Sequence, residues 1–289
     1  MTGLGADASV RLIFVVRYFI GESQGVVCLK LIYVVVDGMG DRPVKELDDR
    51  TPLEYAATPH MDSLAKKGKT GLMYTVGRGI APESDVAVIS ILGYDPVKYY
   101  TGRGPLEALA SGLSFRDGDL ALRCNFATLG PGNRIVNRRA GRTLTNGEAA
   151  ELSKAVNEGV KLESHPADFE LRSTIGYRGA LVIRSRETPL SGEVTNTDPA
   201  YSREGGLGVA EVEVEMTLRK CVPMDETENA MVSADLVNEF TQKSRVVLEN
   251  HKVNERRAAQ GKLKANAILA RDAGHLLPCL LYTSDAADE

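Results

Sequence analysis

Two residues, Asp37 and Ser84, stand where chemistry could begin. Ser84 follows Pro82-Glu83 and opens a short apolar stretch, residues 84–92, that reads as a helix ended by Gly93. The first turn of a helix leaves backbone N–H groups unpaired, and its dipole favours an anion there. A phosphoryl group carried on such a serine would therefore be stabilised locally. A serine hydroxyl is a weak nucleophile until a base or a bound metal activates it. Asp37 could supply one ligand of that metal, because it ends an apolar, β-branched run, residues 31–36. Carboxylates at the C-terminal ends of strands lie where open α/β sheets gather their ligands. The same residues also have a plain structural reading, Ser84 as a helix cap and Asp37 as a turn residue before Gly38. Spacing alone leaves both readings open.

Composition narrows the partners. The 289 residues carry a net charge of -4, which gives no concentrated basic field for nucleic acid. An anionic ligand must then be held by local arginines or by metal ions. The 43% apolar and 26% charged content is ordinary for a soluble globular chain. Residues 10–20 are apolar but interrupted by Arg11 and Arg17, well short of the ~20 residues that span a bilayer, so no membrane partner is expected. The histidines, His60, His165, His251 and His275, are too scattered for a metal site. Cys28, Cys124, Cys221 and Cys279 contain no C-x-x-C pair, which suits free thiols in a reducing cytoplasm.

Continuous rather than alternating hydrophobicity over residues 31–36 predicts a strand covered on both faces, as in a parallel α/β sheet. Thr51-Pro52-Leu53-Glu54 is a capping box with proline at the first helical position. Thr58-Pro59 starts a second helix that Gly68 stops, and residues 70–76 read as a strand. Beyond about Thr101 the chain becomes more polar and richer in turns. Residues 123–129, 169–174 and 176–184 read as strands, Thr145 to Glu148 opens a capped helix, and residues 195–208 have the composition of a long loop. Residues 228–249 are a strong amphipathic helix. The expected architecture is an α/β domain interrupted by an inserted α+β domain, with a return near Leu263.

Several ordered motifs carry a family resemblance: LIYVVVDGMGDRP at residues 31–43, TPHMDSLAKKG at 58–68, PESDVAVISILGYDP at 82–96 and YYTGRGPLEA at 99–108. RCNFAT at 123–128, NRRAGR at 137–142, Thr197-Asp198-Pro199 and KANAIL at 264–269 continue it. Together they resemble the archaeal-type 2,3-bisphosphoglycerate-independent phosphoglycerate mutases of the alkaline phosphatase superfamily, from about Lys30 to Pro278. The resemblance implies an alkaline-phosphatase-like core, incomplete here, with the α+β domain inserted as the substrate domain. It implies interconversion of 3-phosphoglycerate and 2-phosphoglycerate in glycolysis, with no 2,3-bisphosphoglycerate cofactor. Ser84 would carry the phosphoryl group, and Asp37 and Ser84 would ligate metal in a centre of two divalent ions (manganese, magnesium or zinc). Arg139 and Arg142 would grip the substrate's phosphate or carboxylate, with Arg103 and Arg123 as further candidates, because planar guanidinium groups bind such anions at two points. Arg138 is expected to point into solvent.

The departures matter too. The resemblance places the remaining aspartate and histidine ligands in a C-terminal segment that this sequence lacks, so the chain is expected to be an inactive fragment. Asp272-Ala273-Gly274-His275 is similar to a downstream Asp-x-x-x-His metal motif but one residue short, and reads as a loop. The resulting division is 1–29 as a non-native or disordered extension, 30–100 as the N-terminal part of the metal-binding domain and 101–262 as the inserted domain. Residues 263–278 would return to the first domain, and 279–289 resemble translated adapter sequence rather than protein. Two alternatives stand beside this: another phosphoryl-transfer enzyme of the superfamily, homoserine-kinase-like, and a non-catalytic binding fragment.

Overall fold

The computed structural model describes residues 12–23, 26–36, 39–71, 73–77, 82, 84–204, 207–211 and 214–277. The chain divides at Ile91/Leu92 into two compact units.

In the first unit, strands β1 (Leu12–Ser23) and β2 (Val26–Val36) form an antiparallel pair, with Val15 opposite Tyr33 and a bulge between Phe19 and Glu22. The strand expected over residues 31–36 is present, but its partner is not the parallel neighbour expected for it. An apolar strand must pair its backbone, and the nearest apolar segment along the chain closes the smallest loop. Helix α1 (Pro52–Tyr55) has the predicted reciprocal cap: Thr51 N–H donates to Glu54 Oε2 at 2.8 Å, and Glu54 N–H to Thr51 Oγ1 at 3.2 Å. Helix α2 (Pro59–Lys67) stops at Gly68. The strand expected at 70–76 is absent among its described residues. Met73 and Tyr74 stay exposed, and of the segment's described residues only Thr75 is buried, too little of a face to hold an extended strand. Helix α3 (Ser84–Ile91) buries Val86, Ala87 and Ile89, and its Ser90 hydroxyl donates to the Thr75 carbonyl.

The second unit begins with α4 (Pro96–Tyr99) and α5 (Arg103–Ala110) and is organised on β3 (Leu120–Leu129), every residue of which is buried. It continues through β4 (Ile135–Asn137), α6 (Asn146–Gly159), β5 (Ala167–Ser173), β6 (Arg178–Ser185), β7 (Tyr201–Glu204) and β8 (Leu207–Ala210). Helices α7 (Glu228–Glu249) and α8 (Lys252–Ala259) and strand β9 (Ala267–Gly274) complete it. In the five-stranded antiparallel sheet β3 pairs with β6, with β9 and, at its last residues, with β4, while β5 extends β6. Residues 267–274 pair with β3 in this sheet, with a register shift between Ala121 and Arg123. Part of the expected 195–208 loop is the β7–β8 hairpin.

Strand alternation separates two faces of β3. Leu120, Leu122, Cys124 and Phe126 join Leu152, Val156, Leu236, Val237, Phe240 and Ile268 in the main core beneath α6 and α7. Ala121 packs with Ala108, Leu113 and Phe115 of the α5 region, and Ala127 and Leu129 with Leu269. Arg123 has the parity of this second set and is buried with it.

Candidate functional site

The site begins with the Gly102-Arg103-Gly104 turn that starts α5. Gly102 has φ +96°, and a Cβ on Gly104 would fall 2.1 Å from the Ala121 carbonyl oxygen. On Gly274, the last residue of β9, a Cβ would fall 2.0 Å from the Thr101 carbonyl oxygen. Only glycine permits backbone approach this close, and the approach presses the start of α5 onto β3 and β9. Arg103 Nε donates to Glu107 Oε1 at 3.0 Å, one helical turn on, and Arg123 Nε lies 3.5 Å from the same oxygen.

Arg123 faces Arg271 across the β3–β9 ladder. Beyond Arg271 the ladder shifts, since Ala121 pairs with Gly274, and Asp272 adopts φ +56° at the extra residue. This is a β-bulge, and Arg271 Nη1 lies 3.1 Å from Asp272 Oδ2. Burial, followed by the charges of Arg271 and Arg103, pulls the Arg123 guanidinium below its ordinary value. Among the described residues, the Arg103, Arg123 and Arg271 guanidinium groups and the Glu107 and Asp272 carboxylates thus form one buried or half-buried charged cluster.

Tyr201 links this cluster to the arginine turn. The Arg271 guanidinium carbon lies 3.9 Å from its ring centroid and that of Arg138 4.9 Å, both within cation–π range. Arg138 Nε and Nη2 donate to the two oxygens of Asp198 at 2.7 and 2.5 Å, and Asp198 is fully buried. The expectation that Arg138 points into solvent is therefore corrected. A buried carboxylate needs a charged, two-pronged partner, and Arg138 is the one within reach. Burial works against its charge, but the bonds to Asp198 outweigh it and raise the guanidinium value. Asp198 is held in turn by a loop stitched to β9, where Thr197 N–H donates to the Ala270 carbonyl at 2.9 Å and Ala270 N–H to Thr197 Oγ1 at 2.8 Å.

Past Arg138 the backbone runs through three successive residues with positive φ: Ala140 (+44°), Gly141 (+69°) and Arg142 (+56°). Asn137 Oδ1 accepts from the N–H groups of Arg139 and Gly141, both at 2.9 Å. For the two non-glycine residues this conformation costs about 1–3 kcal/mol each, so surrounding contacts must impose it. Arg139, half-buried, and Arg142, exposed, have guanidinium groups that bond no described residue. They line an open pocket of about 430 Å³ together with Arg138, Val136 and Met216.

Behind the turn, Arg257 of α8 is fully buried and donates to the carbonyls of Leu263, Thr143 and Ala140, to Thr143 Oγ1 and to Glu148 Oε2. Burial alone would raise the Glu148 carboxyl, but the Thr145 bonds and the Arg257 charge hold it below the ordinary range.

Of the predicted residues, Arg103 and Arg123 converge on Glu107, and Arg139 and Arg142 share the pocket. Ser84 is the half-buried first residue of α3 in the other unit, and Asp37 lies outside the described residues. Among the described residues no group of three or more His, Cys, Asp or Glu side chains could hold a metal ion. Residues 272–274 are the end of β9 rather than a loop, and His275 Nδ1 accepts from Gly192 N–H at 2.8 Å. Burial lowers the His275 value. The described cysteines, Cys124 and Cys221, are free and buried, and burial pushes the Cys221 thiol up to about 12. Sequence reasoning missed Glu107, Asp198, Tyr201, Arg257 and Arg271. Glu107 and Asp198 lay inside noted motifs without a role, and nothing in the local pattern pointed to Arg257.

The family described as 2,3-bisphosphoglycerate-independent phosphoglycerate mutase matches residues 65–254. A protein of that description from Aeropyrum pernix is 49% identical over 249 residues, covering 86% of this chain and 58% of the relative. One from Methanopyrus kandleri is 43% identical over 250 residues, covering 86% and 55%. Among solved structures, a cofactor-independent phosphoglycerate mutase from Thermoplasma acidophilum is 35% identical with a TM-score of 0.50, covering 83% of this chain and 57% of that one. The chain thus spans little more than half the length of the relatives it matches. With a family match across most of its length and an arginine site built from the motifs that carry the likeness, this chain belongs to the 2,3-bisphosphoglycerate-independent phosphoglycerate mutase family.

Proposed function

We propose that the second unit of this chain recognises phosphoglycerate for interconversion of the 3- and 2-phospho isomers. The observation that carries the reading is the pair of guanidinium groups, Arg139 and Arg142, that line one pocket without a protein partner among the described residues. Buried and half-buried arginines continue from there through Tyr201 to Arg271, Arg123 and Arg103. A ligand with a phosphate and a carboxylate has two anionic ends, and guanidinium forks bind each at two points.

In the same reading Ser84 accepts the phosphoryl group from one substrate hydroxyl and returns it to the other. The half-buried serine at the start of α3 supports this, since the helix end favours the added charge. The two divalent ions remain part of the proposal. Asp37 and Ser84 would supply ligands to them, and among the described residues no group of three or more His, Cys, Asp or Glu side chains could hold a metal ion. Among the described residues no helix is long and apolar enough to cross a membrane.

The test is calorimetric titration of the chain with 3-phosphoglycerate, 2-phosphoglycerate, glycerate and inorganic phosphate. Both phosphoglycerates should bind at least about ten-fold tighter than either half-ligand. Equal or absent binding of all four would overturn the reading.

A further inference from the structure

The Ala140–Arg142 turn poses a physical problem that its own residues do not solve. Ala140 and Arg142 both occupy the left-handed region, which residues with a Cβ avoid. Ala140 is also fully buried, so water cannot satisfy its carbonyl. Asn137 fixes the entry to the turn through the Arg139 and Gly141 N–H groups, but it leaves the carbonyl side and the exit to other groups.

The Thr143 hydroxyl donates to the Ala140 carbonyl at 3.3 Å, and Arg257 supplies the rest. A guanidinium group has five N–H donors in a rigid plane, and here each meets an acceptor. Nε donates to the Leu263 carbonyl at 2.9 Å. Nη1 donates to the Thr143 carbonyl at 3.1 Å and to Glu148 Oε2 at 3.0 Å. Nη2 donates to the Ala140 carbonyl at 3.3 Å and to Thr143 Oγ1 at 2.9 Å. Three of the five acceptors lie on the turn or its exit. A fourth, Glu148, belongs to the cap of α6, which the chain enters directly after the turn. The helix that carries Arg257 is anchored separately, since Asn254 donates to the Leu248 and Ala265 carbonyls and accepts from Ala265 N–H. The guanidinium plane is therefore a fixed template against which the turn is moulded.

We propose that Arg257, which does not line the ligand pocket, is a positioning residue that imposes the left-handed turn presenting Arg139 and Arg142 to an anion. It touches no ligand and acts through the backbone of residues 140–143. This inference rests on the proposed reading of Arg139 and Arg142 as anion-binding residues, but its conformational half can be measured without any ligand.

The experiment compares the chain with Arg257→Lys, which keeps the charge and loses the planar fork, and with Arg257→Lys combined with Ala140→Gly. Two readouts are taken: backbone three-bond couplings at residues 140 and 142 by NMR, which report the sign of φ, and 3-phosphoglycerate affinity. Folded Arg257→Lys should lose the positive-φ couplings and bind about ten-fold more weakly or worse. Glycine adopts positive φ without strain, so adding Ala140→Gly should recover a substantial part of that affinity. A merely structural arginine would show no such rescue. Arg257→Gln, which keeps a planar, hydrogen-bonding head and loses the charge and part of the fork, carries the same readouts if Arg257→Lys does not fold. Unchanged couplings in a folded variant, or lost affinity without rescue, would overturn the proposal. If the unaltered chain does not bind 3-phosphoglycerate, the functional reading fails while the couplings still decide the role of Arg257.

Discussion

Arg138 meets Asp198 fork to fork beneath the ring of Tyr201, and this contact ties the arginine turn to the loop along β9. Its Asp198 end is fully buried, so the pair is costly to break from one side. Asp198→Asn should destabilise the second unit by about 3–5 kcal/mol, because it leaves a largely buried guanidinium without its counter-charge. Arg138→Lys, which keeps one charge-assisted bond, should cost about 1–3 kcal/mol. Urea denaturation followed by circular dichroism checks both, and midpoints equal to the parent chain would contradict the assignment.

Arg139 and Arg142 should behave in the opposite way. Neither guanidinium bonds a described residue, so Arg139→Lys or Arg142→Lys should leave the melting temperature almost unchanged. Phosphoglycerate affinity should fall about ten-fold, or about 1.4 kcal/mol, through loss of the two-point contact. Arg186→Lys, at an exposed pair with Asp168, is the control and should alter neither quantity measurably. Near-parental affinity in both pocket variants would reduce the turn to a solvated basic surface.

Gly104→Ala tests the packing that seats Arg103 and Glu107. The added methyl would meet the Ala121 carbonyl oxygen at 2.1 Å, with backbone rather than a flexible side chain in the way. A loss of about 1–3 kcal/mol or more is expected from such overpacking. Gly147→Ala in α6, where a Cβ meets nothing within 4 Å, should be neutral or slightly stabilising. Similar melting temperatures for the two variants would show that α5 can shift away from the sheet at no cost.

Glu239 gives an acid-sensitive contribution to stability. Burial would raise its carboxyl, but Lys243, Ser164 and the Glu163 and Ser164 N–H groups bind its charged form and hold it at about 2. Its folded value lies below the unfolded one, so the contribution is present above about pH 4.3 and is lost as pH falls towards about 2. Glu239→Gln should therefore be less stable than the parent at about pH 6, with the gap narrowing at about pH 3. A gap that is constant or widens on acidification would contradict the assignment.

Ser84 is tested by chemistry rather than stability. In a protein carrying the full length of its relatives, Ser84→Ala should abolish interconversion of the phosphoglycerates. Mass spectrometry of the trapped phosphoenzyme should find the group on Ser84. An active alanine variant, or phosphate on another residue, would remove the serine from the mechanism.

Local signals were legible in the sequence wherever the determining forces act over a few residues. The Thr51–Glu54 and Thr145–Glu148 capping boxes, the stop of α2 at Gly68 and the span of α7 all agree with their pattern, because caps and helical periodicity are settled within one or two turns. The ordered motifs were also sufficient to identify the family. Pairing was not legible. An apolar run states that a strand wants burial, not which segment it will meet, so β2 took the antiparallel β1 against expectation, and β9 took β3. The fates of the arginines likewise depended on tertiary structure. In NRRAGR the three guanidinium groups are chemically alike, yet Arg138 turns inward to a carboxylate far along the chain while Arg139 and Arg142 remain available. Asp198 and Arg257 make that difference, and both reach the turn only after β9, α8 and the 195–200 loop have packed. A side chain's charge is a local property of the sequence, whereas its partner is set by distances that exist only in the folded chain.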